Sequence, residues 1–203
     1  MHWLRSIEAT APTYPAVWLV ATPQRPRNLT ERSTLRRETA RAILARQLGR
    51  PAAEIAIAHD SAGRPLLPTA LETELQISLA TRAGVIAIAL AQAPVGVDVE
   101  RVDPAGVIPR EALHRDEWRM LEESEPSLRA LAFARLWAAK EAYVKALGTG
   151  FVRPPESFAI LLISPERFRV HDPLRGTADG ALATIENGGQ EILAAAAIVL
   201  DGA

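Results

Sequence analysis

The sequence predicts an α+β protein of two α/β halves, residues 1–102 and 103–203. Three observations point there. Each half reads as helix followed by short strands, glycine, proline and aspartate clusters punctuate the joins, and 203 residues suit one compact unit whose halves share an interface. The repeat is one of architecture, since the two halves show no matching sequence repeat.

In chain order, Glu31 to Leu48 is rich in Arg, Ala and Leu and reads as a helix, with Asn28 or Thr30 as its N-cap. Gly49-Arg50-Pro51 ends it. A turn at Ser61-Ala62-Gly63-Arg64-Pro65 precedes strands at Leu75–Leu79 and Val85–Leu90, the second apolar throughout and so expected to be buried on both faces. Val95 to Glu100 alternates in character like a half-buried strand. In the second half a short helix is expected around Arg110 to Glu123. A longer one runs from Pro126, suited to a first helical turn, to Gly148, suited to a helix stop. Ser157 to Ile163 reads as a strand, and Asn187-Gly188-Gly189 as a hairpin turn leading into Ile192–Leu200.

Composition narrows the function classes. With 48% hydrophobic and 23% charged residues and a net charge of −1, the chain lacks the basic excess of a general nucleic-acid binder. Cysteine is absent, which excludes disulfides, thiolate metal sites and a cysteine nucleophile. No apolar run reaches the roughly 18 residues of a membrane span, and the N-terminal residues lack the pattern of a secretion signal, so a cytoplasmic protein is expected.

Two clusters carry chemistry. Successive strand side chains alternate faces, so Asp98 and Glu100 project to one side about 6.5–7 Å apart, within reach of one hard cation, while Val95, Val97 and Val99 face the core. On the long helix, Glu141 and Lys145 share a face at a spacing of four. Each cluster alone also fits a bland role, a solvated strand face or a surface ion pair.

Together they are distinctive. Gly96-Val97-Asp98-Val99-Glu100, followed by Trp137-Ala138-Ala139-Lys140-Glu141-Ala142-Tyr143-Val144-Lys145, resembles the paired signature of phosphopantetheinyl transferases. Gly63-Arg64-Pro65 is similar to that family's Gly-Lys-Pro turn, and Gly148-Thr149-Gly150-Phe151 running into Pro155-Glu156-Ser157-Phe158 to its loop and following strand. The likeness covers about Arg37 to Phe158 and implies the surfactin-type fold, two pseudo-symmetric halves about a shared cleft.

The resemblance implies that Asp98, Glu100 and Glu141 hold Mg²⁺, with Mn²⁺ an alternative, and that coenzyme A is the co-substrate. Glu141 would take the proton of the acceptor serine and Lys145 would steady the phosphates and protonate the departing oxygen. Arg41, Arg64, Thr81 and Lys140 join Lys145 as expected coenzyme A contacts. The partner would be an apo acyl or peptidyl carrier protein, served by a monomer, with neither nucleic acid nor membrane involved.

The chain departs from the family at Ala80-Thr81-Arg82, which replaces a Ser-His-Ser or Ser-His-Thr run, and at Thr149, where many members carry lysine. Thr81 keeps a hydroxyl without the charge, and Arg82 would restore a charge only if turned towards the pocket. His114, in the short helix, is weighed as a substitute and set against a structural role. Arg110, Arg115 and Arg119 form a candidate patch for an acidic carrier. The competing readings are a carrier-binding module without transfer activity and a metal-dependent hydrolase of another nucleotide.

Overall fold

The computed structural model describes residues 1–24, 26–71, 73–149, 152–189 and 191–201. In chain order the elements are β1 (His2–Leu4), β2 (Ala16–Ala21), α1 (Leu29–Leu48), β3 (Ala58–His59), β4 (Pro65–Leu66), β5 (Gln76–Arg82), β6 (Val85–Ala91) and β7 (Val95–Arg101). They continue with α2 (Arg115–Glu123), α3 (Pro126–Leu147), β8 (Ala159–Ser164), β9 (Arg167–Asp172), β10 (Gly176–Asn187) and β11 (Glu191–Val199). One sheet has the order β1-β2-β6-β5, a second has β7-β11-β10-β9-β8, and β3 pairs with β4 in a small ribbon.

Alternating side chains sort these elements into four layers, α1, the first sheet, the second sheet and α3. Ile86, Ile88 and Leu90 of β6 pack with Ile43 and Leu44 of α1. Its other face, Val85, Ala87 and Ala89, meets Val97 of β7 and Ala195 and Ala197 of β11 between the sheets. All seven β6 residues are therefore buried, as the unbroken apolar run requires. On the far side of the second sheet, Leu136 and Ala142 of α3 close over Phe168, Ala196 and Ile198. Alanine-rich inner faces remove bulk where the sheets meet.

The halves repeat a pattern. In the first, β2 pairs antiparallel with β6, its last strand, while β7 pairs antiparallel with β11, the last strand of the second. The expected division after residue 102 groups β7 with the first half, whereas its hydrogen bonds place it on the edge of the second sheet.

Helix ends follow their caps. The Asn28 side chain accepts from the Glu31 amide, starting α1 at Leu29. Gly49 and Gly148, at φ 64° and 70°, end α1 and α3 in the left-handed conformation that glycine adopts without penalty. The expected helix around Arg110 divides into a 3-10 turn, Arg110–Ala112, and α2, because His114 and Glu117 form a capping box at the start of α2. Ser157, expected in a strand, closes the 3-10 turn Pro155–Ser157. Among the described residues, no helix is long and apolar enough to cross a membrane.

Candidate active site

The site begins with a glycine. On β7, Val95, Val97 and Val99 point between the sheets, so Gly96, Asp98 and Glu100 point to α3. A Cβ on Gly96 would lie 1.8 Å from the Ala142 carbonyl oxygen and 2.7 Å from the Ala146 nitrogen. Only a residue without a side chain lets the helix backbone rest on the strand. The helical residues flanking that contact are Glu141 and Lys145.

Lys145 donates to Asp98 Oδ1 at 2.6 Å and to the Val97 carbonyl at 3.2 Å. Asp98 is 7% exposed, and its other oxygen, Oδ2, is buried with no hydrogen-bond partner. Arg82 Nε stands 3.2 Å from Glu100 Oε2. Burial raises the pKa of Asp98 against the pull of Lys145, and burial and the Asp98 charge together raise that of Glu100. Glu141 is pushed up to about 7, first by burial and then by Asp98 and Glu100, with Lys145 opposing. The three carboxylates therefore lie near enough to repel one another, which a cation would relieve.

Their fit to a divalent ion has two sides. The donors are all oxygen, and Asp98 Oδ2 is an unsatisfied acceptor, both suited to a hard cation. Among the described residues, however, no three acidic, histidine or cysteine side chains converge closely enough to hold one as they stand. Lys145 and Arg82 neutralise Asp98 and Glu100 instead.

Beside the carboxylates runs a cationic cleft of two adjoining cavities that share Arg36 and Lys145. One, of about 210 Å³, is bordered also by His59, Gly63, Arg64 and Ile77. The other, of about 300 Å³, is bordered by Arg32, Thr81 and Asp98. Arg64 reaches the first from a turn tied by Asp60, donates to Gln76 Oε1 at 2.7 Å, and lies against Gly148. The Thr81 hydroxyl borders the second but donates to the Val85 carbonyl at 2.9 Å.

Two expected coenzyme A contacts are not brought to this cleft. Arg41 donates Nε to the Ile55 carbonyl at 3.1 Å and borders neither cavity. Arg36 takes that place. Its Nε is buried without a hydrogen-bond partner, and burial followed by the charges of Arg37 and Arg32 lowers its pKa. Lys140 is 2% exposed and anchors the protein interior. Its ammonium pairs with Glu117 at 2.7 Å and donates to the Pro155 and Phe158 carbonyls. Glu117 in turn accepts from the Ile160 and His114 amides, so this buried pair joins α2, α3 and β8.

His114 caps α2 through Nδ1, a structural role. Of the candidate carrier patch, Arg115 and Arg119 both lean on Asp116, and Arg110 lies 5.0 Å over the Trp118 ring. In the loop signature, Gly150 and Phe151 lie outside the described residues.

Comparison with known proteins points to one family. The 4'-phosphopantetheinyl transferase superfamily model matches residues 94–197, the stretch that runs from β7 through α3 into β11. The chain is 33% identical over 76 residues to the 4'-phosphopantetheinyl transferase gsp of Aneurinibacillus migulanus, covering 37% of this chain and 32% of that protein. It is 28% identical over 123 residues to a 4'-phosphopantetheinyl transferase of Bacillus subtilis and 25% identical over 123 residues to 4'-phosphopantetheinyl transferase Sfp of Bacillus subtilis strain 168. Each of these two alignments covers 60% of this chain and 54% of the relative, so the similarity spans about half of their length.

Proposed function

The chain belongs to the 4'-phosphopantetheinyl transferase superfamily, and we propose that it moves the phosphopantetheine arm of coenzyme A to a serine of an apo acyl or peptidyl carrier protein, releasing 3',5'-ADP. The observation that carries this reading is the seating of α3 on Gly96, which sets Glu141 and Lys145 beside Asp98 at the edge of a cationic cleft.

The chain's own residues divide the work. Arg32, Arg36 and Lys145 attract the phosphates of coenzyme A, and Arg36 Nε arrives with its donor unspent. Arg64 reaches the same cleft with a planar guanidinium suited to stacking on the adenine. Glu141, on the face of α3 that meets β7 beside Asp98, takes the proton of the serine hydroxyl as it attacks the phosphorus that carries the arm. Lys145 holds the departing phosphate oxygen and supplies its proton. Asp98, Glu100 and Glu141 would hold Mg²⁺, or Mn²⁺, which when bound offsets negative charge on the pyrophosphate. Most of the acceleration is positioning and electrostatics, and no covalent enzyme intermediate is required.

Incubation with Mg²⁺, coenzyme A and an apo carrier protein tests this by intact mass. The expected product is a carrier heavier by one phosphopantetheine arm. Glu141→Ala should lower the rate at least about a hundredfold while leaving the circular dichroism spectrum unchanged. Absence of any mass gain with acyl and peptidyl carriers, alongside tight carrier binding, would replace transfer with the carrier-binding reading.

A further inference from the structure

The carboxylate cluster carries a cation of its own in a place that active-site chemistry does not require. Arg82 is the last residue of β5, and its Nε lies 3.2 Å from Glu100 Oε2. Its backbone is held firmly. Arg82 and Val85 face each other across a two-residue turn whose members, Ala83 and Gly84, have φ of 46° and 76°. Asn187 Nδ2 donates to the Ala83 carbonyl at 2.5 Å, and the Thr22 amide donates to the Gly84 carbonyl at 2.8 Å. The freedom left to Arg82 is therefore in its side chain, which is 48% exposed against 20% for Glu100.

That side chain has somewhere to go. Arg82 and Glu100 both border a groove of about 570 Å³ that shares no lining residue with the cationic cleft and where Trp137, Phe133 and Asp103 also stand. A guanidinium leaving Glu100 would enter a groove bordered by two aromatic side chains and by Asp103, which already accepts from Arg101 at 2.9 Å.

Resting on the reading of Asp98, Glu100 and Glu141 as a cation site, we propose that Arg82 is an internal counter-cation that competes with the divalent ion for Glu100, so that ion binding is coupled to release of the Arg82–Glu100 pair. The competition has two sources. Glu100 offers its oxygens to the guanidinium or to the ion, and a guanidinium left in place repels a second positive charge. The same pair explains why the acidic side chains are not gathered around one point: Glu100 is drawn to β5 by Arg82 while Lys145 holds Asp98. Lys145 is bound into the transfer chemistry, whereas Arg82 borders neither cavity of the coenzyme A cleft, so its effect is on the ion.

The test is binding of Mn²⁺ alone, without coenzyme A or carrier, followed by the electron paramagnetic resonance signal of the free ion. Arg82→Gln should tighten Mn²⁺ binding at least about fivefold, and Arg82→Lys, which keeps the charge but loses the planar fork, should fall between. In a Glu100→Gln background the Arg82→Gln change should shrink to less than about twofold, since the shared partner is gone. Equal or weaker Mn²⁺ binding in Arg82→Gln, with saturable binding in the parent, would overturn the role of Arg82 and leave the three-carboxylate site standing. No saturable binding in any of these folded proteins would overturn both.

Discussion

Glu141 shows how far one side chain's titration is set by its surroundings. Burial and the charges of Asp98 and Glu100 lift it from 4.5 to about 7. A carboxyl with a raised folded-state pKa holds its proton more tightly folded than unfolded, so it favours the folded state in acid and loses that advantage as pH rises through this interval. Asp98 and Glu100 shift the same way, whereas Asp172 and Asp179 are lowered and so act in more acidic solution, below this window. In divalent-free buffer, urea unfolding should therefore show stability falling between about pH 5 and 7.5, and Glu141→Gln should flatten that slope. A slope that rises with pH, or one unchanged by the substitution, would contradict the assigned environment.

At the level of elements, the decisive contact is α3 on β7. Gly96→Ala would push a methyl group into the Ala142 carbonyl and Ala146 nitrogen, backbone atoms with no rotamer to yield. The expected cost is about 3 kcal/mol or more in urea unfolding, with transfer lost in step because Glu141 and Lys145 retreat with the helix. Near-native stability in Gly96→Ala would show that the helix is free to shift without loss. The Lys140–Glu117 pair supports the same helix from behind, tying it to α2 and β8 through a fully hydrogen-bonded buried charge pair. Its removal on one side would leave the other charge stranded.

Over the whole molecule, the architecture was legible wherever chemistry lay along the chain. The caps at Asn28 and Gly148 and the turn at Asn187 mark element ends, and the apolar run of β6 gives its burial. Less visible were β2, whose short run Ala16–Ala21 carries no alternation, and β9, which alternates cleanly from Arg167 to Asp172 but has four charged or histidine side chains facing out or capping the strand. In the site, spacing alone puts Asp98 and Glu100 on one strand face and Glu141 and Lys145 on one helix face, whereas a shared role for the four was implied only by the family resemblance. Which arginines of α1 face the cleft could not be read, since how α1 is rotated on its sheet depends on packing. Arg36 and Arg41 stand about 140° apart around a helix, and only tertiary contacts decide that Arg36 faces the cleft. The same holds for Lys140, about 100° from Glu141 and turned to a partner on another helix.

The proposed chemistry depends on one juncture, where the second sheet and α3 bring acidic oxygens to a basic cleft shared with α1 and β5. Crystals grown with coenzyme A and Mn²⁺, measured at the manganese absorption edge, probe it most directly. One anomalous peak is expected within about 2.0–2.4 Å of oxygens from Asp98, Glu100 and Glu141, with the pyrophosphate against Lys145 and Arg36. A peak elsewhere, or coenzyme A seated away from these residues, would contradict it.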